Sequence, residues 1–218
     1  MSLINVLNVI LKESKTPFMQ PIAFDIYFES VKSLKHSLTW RIIYIGQAGD
    51  DQYDQILEDA EMDCDVAGRM TFTLEGNYPD VSKLPPQDIV GVTAILLTCS
   101  YNGNQEFFRV GYYVNNAYAE EYPDLIENPP NQPDITKLTR HILVEKPRVT
   151  KFQIDWEEEG VDGFGQQVGV APEFVNQEGQ QSLGDKENLM AKGTQVIDRN
   201  DMMSSANLAQ AAQNFHQQ

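Results

Sequence analysis

The stretch that decides the fold runs Val90-Gly-Val-Thr-Ala-Ile-Leu-Leu-Thr-Cys-Ser-Tyr101, turns at Asn102-Gly-Asn104, and returns as Glu106-Phe-Phe-Arg-Val-Gly-Tyr-Tyr-Val-Asn115. β-Branched and aromatic residues dominate both arms, and Asn-Gly between such arms is a hairpin signal. In extended chain alternate residues share a face. Val92, Ala94 and Leu96 therefore lie on one side of the first arm, with Ile95, Leu97 and Cys99 on the other. On the returning arm Arg109, Gly111 and Tyr113 share a face, and Val110, Tyr112 and Val114 share its opposite. The first arm is apolar on both sides. It is either a central strand whose second face a loop or helix covers, or a strand whose outer face meets a partner. A chain with little helix has little to cover it, which favours a partner. Arg109 and Tyr113 flanking a glycine would give that partner a flat platform with two anchors of the residue types enriched in binding hot spots; exposed side chains without a role are the plainer alternative. The register stays open. A two-residue Asn102-Gly103 turn sets Leu96 opposite Arg109, whereas a three-residue loop through Asn104 sets Leu97 there.

Outward from this hairpin the period of two persists. Phe24, Ile26 and Phe28 alternate with Asp25, Tyr27 and Glu29, and Leu38, Trp40, Ile42 and Tyr44 alternate with Thr39, Arg41, Ile43 and Ile45. Further strands are expected at Ile4–Leu11, Arg69–Glu75 and Val149–Trp156. Turn signals fall between them at Thr16-Pro17, Gly46, Gly49-Asp50, Tyr78-Pro79, Pro85-Pro86 and Asn128-Pro129-Pro130. Asp134 is placed to cap one helical turn through Leu138. Seven or more short strands with this spacing predict an all-β, immunoglobulin-like antiparallel β-sandwich with little helix.

Composition changes after Trp156. Residues 157–218 are rich in Gln, Gly, Asn, Glu and Asp, and Phe164, Phe174 and Phe215 are their only aromatics. Ten acids against three bases give this part −7, and 22 acids against 13 bases give residues 1–156 −9, which sum to the net charge of −16. So little apolar surface does not offset the entropy of ordering, so a disordered acidic tail is expected. The Ala, Leu and Gln content of Ser205–Phe215 allows a short helix there. The division is thus a folded core over 1–156 and a tail over 157–218.

The charge argues against direct nucleic-acid binding, because a phosphate lattice repels such a surface, and favours cationic partners; acidity for solubility alone is the plainer reading. Asp50–Asp65 holds eight acids and no base, either a solvated loop or a patch complementary to a cation-rich partner. Asp63-Cys-Asp65 with Gly68 hints at a calcium loop, but Ala67 and Leu74 stand where ligands would be needed. Cys64 and Cys99 are too few for a disulfide framework and point to a reducing compartment. Met1–Leu11 reads as a strand and not a signal peptide, and no apolar run approaches the roughly 20 residues that span a bilayer. His36, His141 and His216 are scattered, and no phosphate loop or nucleophile elbow occurs. Neither an enzyme nor a cofactor or metal is expected.

Seven motifs now stand in order: Trp40-Arg-Ile-Ile-Tyr-Ile-Gly46, Tyr53-Asp-Gln-Ile-Leu57, Val90-Gly-Val-Thr93, Glu106-Phe-Phe-Arg-Val-Gly-Tyr-Tyr-Val-Asn-Asn116, Glu127-Asn-Pro-Pro130, Pro147-Arg-Val-Thr150 and Ile154-Asp-Trp156. Together they resemble the anti-silencing-function family of histone chaperones over essentially all of 1–156. The resemblance implies an elongated sandwich that binds one histone H3–H4 dimer, blocks its tetramerisation surface, and delivers or removes it during nucleosome assembly and disassembly. It implies a monomer in the nucleus, with a cytoplasmic pool, and no membrane. Carried over residue by residue, the H3-binding face comprises Ile45, Asp54, Asp88, Val92, Ala94, Leu96, Arg109 and Tyr113. In it the apolar residues meet a helix, Arg109 pairs with an acid, and Asp54 and Asp88 receive basic side chains. The H4 C-terminal tail would add a strand beside Leu143, Pro147, Arg148, Val149 and Thr150. Chromatin assembly factors would dock on the opposite side at His36, Ser37, Leu38 and Met62. Two departures stand out. Ala94 replaces the family's usual valine, removing about 1 to 2 kcal/mol of apolar contact. His36-Ser37 replaces an acidic pair, reducing charge complementarity toward basic peptides. The loop Asn102-Gly-Asn104 is also one residue longer than the family's.

Overall fold

The computed structural model describes residues 2–156 and 199–215. Ten strands follow in order: β1 (Ile4–Leu11), β2 (Lys15–Pro17), β3 (Ile22–Ser30), β4 (Leu38–Tyr44), β5 (Gln55–Met62), β6 (Gly68–Gly76), β7 (Gly91–Tyr101), β8 (Gln105–Tyr118), β9 (Leu138–Ile142) and β10 (Arg148–Lys151). Two single-turn helices interrupt them, α1 (Pro86–Ile89) and α2 (Pro123–Glu127), and the short α3 (Arg199–Met202) and the 11-residue α4 (Ser205–Phe215) close the described chain. The smaller sheet runs β1-β3-β6; the larger runs β2-β9-β8-β7-β4-β5, with β10 added beside β8. All pairings are antiparallel. This is the immunoglobulin-like sandwich that the alternation predicts.

The core lies between the sheets. Phe24, Ile26 and Phe28 of β3 face Trp40, Ile42 and Tyr44 of β4, Ile95, Leu97 and Cys99 of β7, and Phe108, Val110 and Tyr112 of β8. Phe28 packs tilted against Trp40 at 5.9 Å between ring centroids, and Phe24 stacks on Tyr112 at 5.7 Å. Cys64 and Cys99 are both buried free thiols, and burial raises each above the usual thiol pKa. Arg140 of β9 is buried and lashes β2 and its following turn to the sheet. Its guanidinium donates to the carbonyls of Phe18, Gln20 and Pro21 and to the Thr16 hydroxyl at 2.9–3.1 Å. Desolvation by burial lowers its pKa to about 10.

Three expectations are corrected here. The acidic stretch Asp50–Asp65 is not a plain loop, because it contains β5, the edge of the larger sheet. Leu57, Ala60 and Met62 pack on the core while Ile56, Asp59 and Glu61 face water, and a register shift between Ile42 and Ile43 leaves Leu57 as the extra residue. At the deciding hairpin neither expected register occurs. The loop is three residues long, with Asn102 at φ 51 and Gly103 at φ 76, so Tyr101 pairs with Gln105. A bulge at Phe107 then shifts the ladder once more, setting Leu96 opposite Gly111 and Thr98 opposite Arg109. Finally, part of the expected tail is ordered. Residues 199–215 form α3 and α4, the latter over the span whose composition allows a helix. The expectation for 157–198 lies outside the described residues.

Candidate functional site

Register carries the first arm's outer face and the returning arm's Arg109, Gly111 and Tyr113 onto one surface. Ala94 pairs with Tyr113, Leu96 with Gly111, and Thr98 with Arg109, and directly opposed residues in an antiparallel ladder point the same way. Ile43 of β4, opposite Leu96, extends the surface. Ile45 closes it above β4, its N–H donating to the Ala94 carbonyl at 3.0 Å. Val92 lies at the margin and is half-buried.

The bulge also creates the site's main polar feature. Simple alternation would point Glu106 and Arg109 to opposite faces, but the extra residue Phe107 brings both to the same one. Arg109 donates from Nε to one Glu106 oxygen at 2.7 Å and from a terminal nitrogen to the other at 3.1 Å. Its guanidinium also lies 5.6 Å from the Phe152 ring centroid. The fork is thus aimed by two neighbours before any partner arrives. At the other margin Asp54 accepts from the Gly46 N–H at 3.3 Å, and Asp88 accepts from the Gln47 amide at 3.0 Å. Gly46 is itself required, because a Cβ there would lie 2.0 Å from the Tyr53 carbonyl oxygen.

The surface is not bare. The expectation that this chain has too little helix to cover its second face is overturned by α3 and α4. Ile45, Ala94, Leu96, Tyr113 and Leu143 form one buried cluster with Met202, Met203 and Ala211, flanked by Leu208 and Phe215. Leu96 and Tyr113 are each 4% exposed and Ala94 is closed off altogether. The Tyr113 hydroxyl donates to the Met202 carbonyl at 3.1 Å. Burial raises this phenol's pKa, and the neighbouring Arg148 guanidinium offsets part of the rise. Arg199 donates one hydrogen bond to each carboxylate oxygen of Asp54, at 2.6 and 2.9 Å, and another to the Gln47 carbonyl at 2.8 Å. Sequence reasoning passed over Arg199, Met202 and Met203. The available signal was a basic residue three positions before a methionine pair, ahead of Leu208, Ala211 and Phe215 at helical spacing.

The second group of predicted residues surrounds a different concavity. β10 pairs with β8 from Arg148–Gly111 to Lys151–Phe108, and no second strand pairs with it among the described residues. Beside it lies an apolar groove of about 610 Å³ lined by Val9, Leu11, Val110, Tyr112, Pro147 and Val149. Leu143 and Thr150 are buried, whereas Pro147, Arg148 and Val149 present surface. Arg148 reaches Tyr113, so the two predicted areas are contiguous. The third group lies at the far end of β4 and β5. His36 packs edge-on against Tyr101 at 5.6 Å, Ser37 bonds Glu61, and Met62 is half-buried opposite Leu38. Leu38 is 0% exposed and belongs to the core, so of these four only His36, Ser37 and Met62 offer contact surface.

An apolar sheet face with a pre-aimed guanidinium at one end and a carboxylate at the other, next to an apolar groove along an edge strand, defines a protein-docking sandwich. The chain belongs to the family described as ASF1 like histone chaperone, which residues 1–157 match. It is 45% identical over 168 residues to the histone chaperone asf1 of Drosophila melanogaster, an alignment covering 77% of this chain and 76% of that one. The histone chaperone ASF1B of Homo sapiens is 46% identical over 157 residues, 72% of this chain and 76% of its own. The histone chaperone ASF1 of Mycosarcoma maydis is 46% identical over 158 residues, 72% and 89% of the two chains.

Proposed function

We propose that this chain binds one histone H3–H4 dimer through the face of β7 and β8, covers the surface on which two dimers would pair, and delivers or removes the dimer during nucleosome assembly and disassembly. The observation that carries this is the convergence of Ala94, Leu96, Gly111 and Tyr113 on one apolar surface bounded by Arg109 and Asp54, on a chain of the histone-chaperone family. An amphipathic helix of H3 would lie on the apolar strip. Arg109 would meet an acid of that helix in place of Glu106, and Asp54 and Asp88 would receive its basic residues. The H4 C-terminal segment would add a strand to β10 and seat an aromatic side chain in the groove between Val9 and Val149. Residues 1–156 form the binding core.

The reaction needs no cofactor or covalent step. Occupying histone surfaces prevents aggregation and premature DNA contact, and DNA later competes through its higher charge density. Chromatin assembly factors would approach at His36, Ser37 and Met62, and the work would take place in the nucleus, with a cytoplasmic pool before import. Gel filtration of the chain with recombinant H3–H4 tests the reading. A one-to-one complex with the dimer at moderate salt, abolished by Arg109→Glu, is expected; no complex, or a complex indifferent to that substitution, refutes it.

A further inference from the structure

We propose that residues 199–215 are an internal ligand of the β7–β8 face, held there in competition with the histone helix, so that loading a dimer is an exchange of one helical segment for another. This rests on the function proposed above and adds its first competitor, which is the chain itself.

The fit is chemical as well as spatial. Met202 occupies the notch left by the missing side chain of Gly111. A Cβ at that position would lie 2.2 Å from the Met202 sulfur and 2.7 Å from its methyl carbon. The last turn of a helix leaves carbonyls without intrahelical donors, and the Tyr113 hydroxyl donates to one of these, that of Met202. Arg199, one of only three bases after residue 156, sits on Asp54, where a basic residue of a cationic partner would otherwise be needed. In α4, Leu208, Ala211 and Phe215 follow the i, i+3, i+7 spacing of a helix that buries one side. Phe215 meets His141 edge-on at 5.2 Å, and Asn214 accepts from Lys146 at 3.0 Å. The segment therefore reproduces what the face is built to hold: an amphipathic helix with a cation at its leading end. Apparent affinity for a competing ligand falls in proportion to the time the face is occupied. A segment docked nine-tenths of the time weakens dimer binding about tenfold.

The test uses the full chain carrying ¹³C-methyl methionine, alone and with H3–H4 dimer, beside the full-length double variant Arg199→Glu/Met202→Ser. Both substitutions lie in the segment and leave the sheet intact. Expected are a nuclear Overhauser contact between the Met202 methyl and the Gly111 α-protons that survives dilution, its loss on adding dimer, and dimer affinity about tenfold or more higher in the variant. Absence of the contact, its disappearance on dilution (a second copy as donor), or equal affinities of the two chains overturns the proposal. Binding of dimer by neither chain while the contact persists instead refutes the chaperone reading, and the competition with it.

Discussion

Adding one methyl group at Gly111 separates the sheet from the helix that lies on it. In Gly111→Ala the new carbon would stand 2.2 Å from the Met202 sulfur but 3.1 Å from the nearest atom of Leu96. The leucine needs to yield only a few tenths of an ångström, while the methionine must move by more than one. Met202 is 2% exposed and walled in by Leu96 and Tyr113, so it has no adjoining space to enter. Full burial of such a side chain is worth about 1.5–3 kcal/mol. Losing the lower figure, about 1.5 kcal/mol, shifts the docked-to-open ratio about tenfold. Peroxide oxidation reads this directly, since a buried thioether reacts only when exposed. Peptide mass mapping should show Met202 oxidising about tenfold faster in the variant, relative to Met19, whose 39% exposure makes it an internal standard. The sandwich's own thermal transition should barely move. An unchanged Met202 rate together with a lowered transition would refute the reasoning, because it would mean that β7 and β8 had shifted and the helix had followed.

Three further outcomes are expected. Arg140→Met leaves the buried carbonyl of Phe18 and the half-buried carbonyls of Gln20 and Pro21 without their donor and should cost about 3 kcal/mol of stability, measured by urea unfolding; an effect under about 1 kcal/mol would show that water replaces the guanidinium. Burial, with Lys15 adding to it, lowers the pKa of His141 below its usual 6.5. The unfolded chain then takes up the proton first, so this group's contribution to stability is complete above pH 6.5 and is lost as pH falls through the folded value. His141→Gln should flatten that acid limb in pH-dependent melting. Val149→Asp, which places a charge in the groove beside β10, should weaken dimer binding about tenfold or more in titration calorimetry, with the melting point lowered but the chain still folded at the assay temperature; undiminished binding would remove the groove from the contact.

Where apolar and polar residues alternate, or β-branched and aromatic residues run together between turn signals, the strands were legible. β1 occupies the expected Ile4–Leu11, and β3, β4, β6 and β7 fall within two residues of their expected ends, because each carries one face into the core and one to water or a second layer. β5 was hidden for two reasons: its exposed positions carry acids, and the bulged Leu57 breaks its alternation. β2 and β9 are three and five residues long, too short to show a period. The register of the deciding hairpin was unreadable because loop length and bulge act together, and a bulge leaves no compositional mark. The tail misled through averaging. Over 62 residues its polar content swamps a stripe of a few side chains, and α4 is stabilised mainly by the sheet it meets and not by its own propensity. The common face of Leu96, Arg109 and Tyr113 was legible, whereas its covering was not.

The bulged Phe107 has one more consequence. The three-residue tip displaces the ladder by one step from what the tightest hairpin would give, and Phe107 displaces it by a second. Two single steps restore parity, so Arg109 and Tyr113 remain on the outside. Flattening the bulge while keeping Phe107 would set Leu97 opposite Arg109 and rotate every later side chain of β8 by half a turn, turning Arg109 inward and Val110 outward. A residue lost from the tip, by contrast, leaves Tyr101 opposite Gln105 and every later pair in place, so deep sequencing of a variant library should show single deletions at the tip tolerated and changes that flatten the bulge rejected.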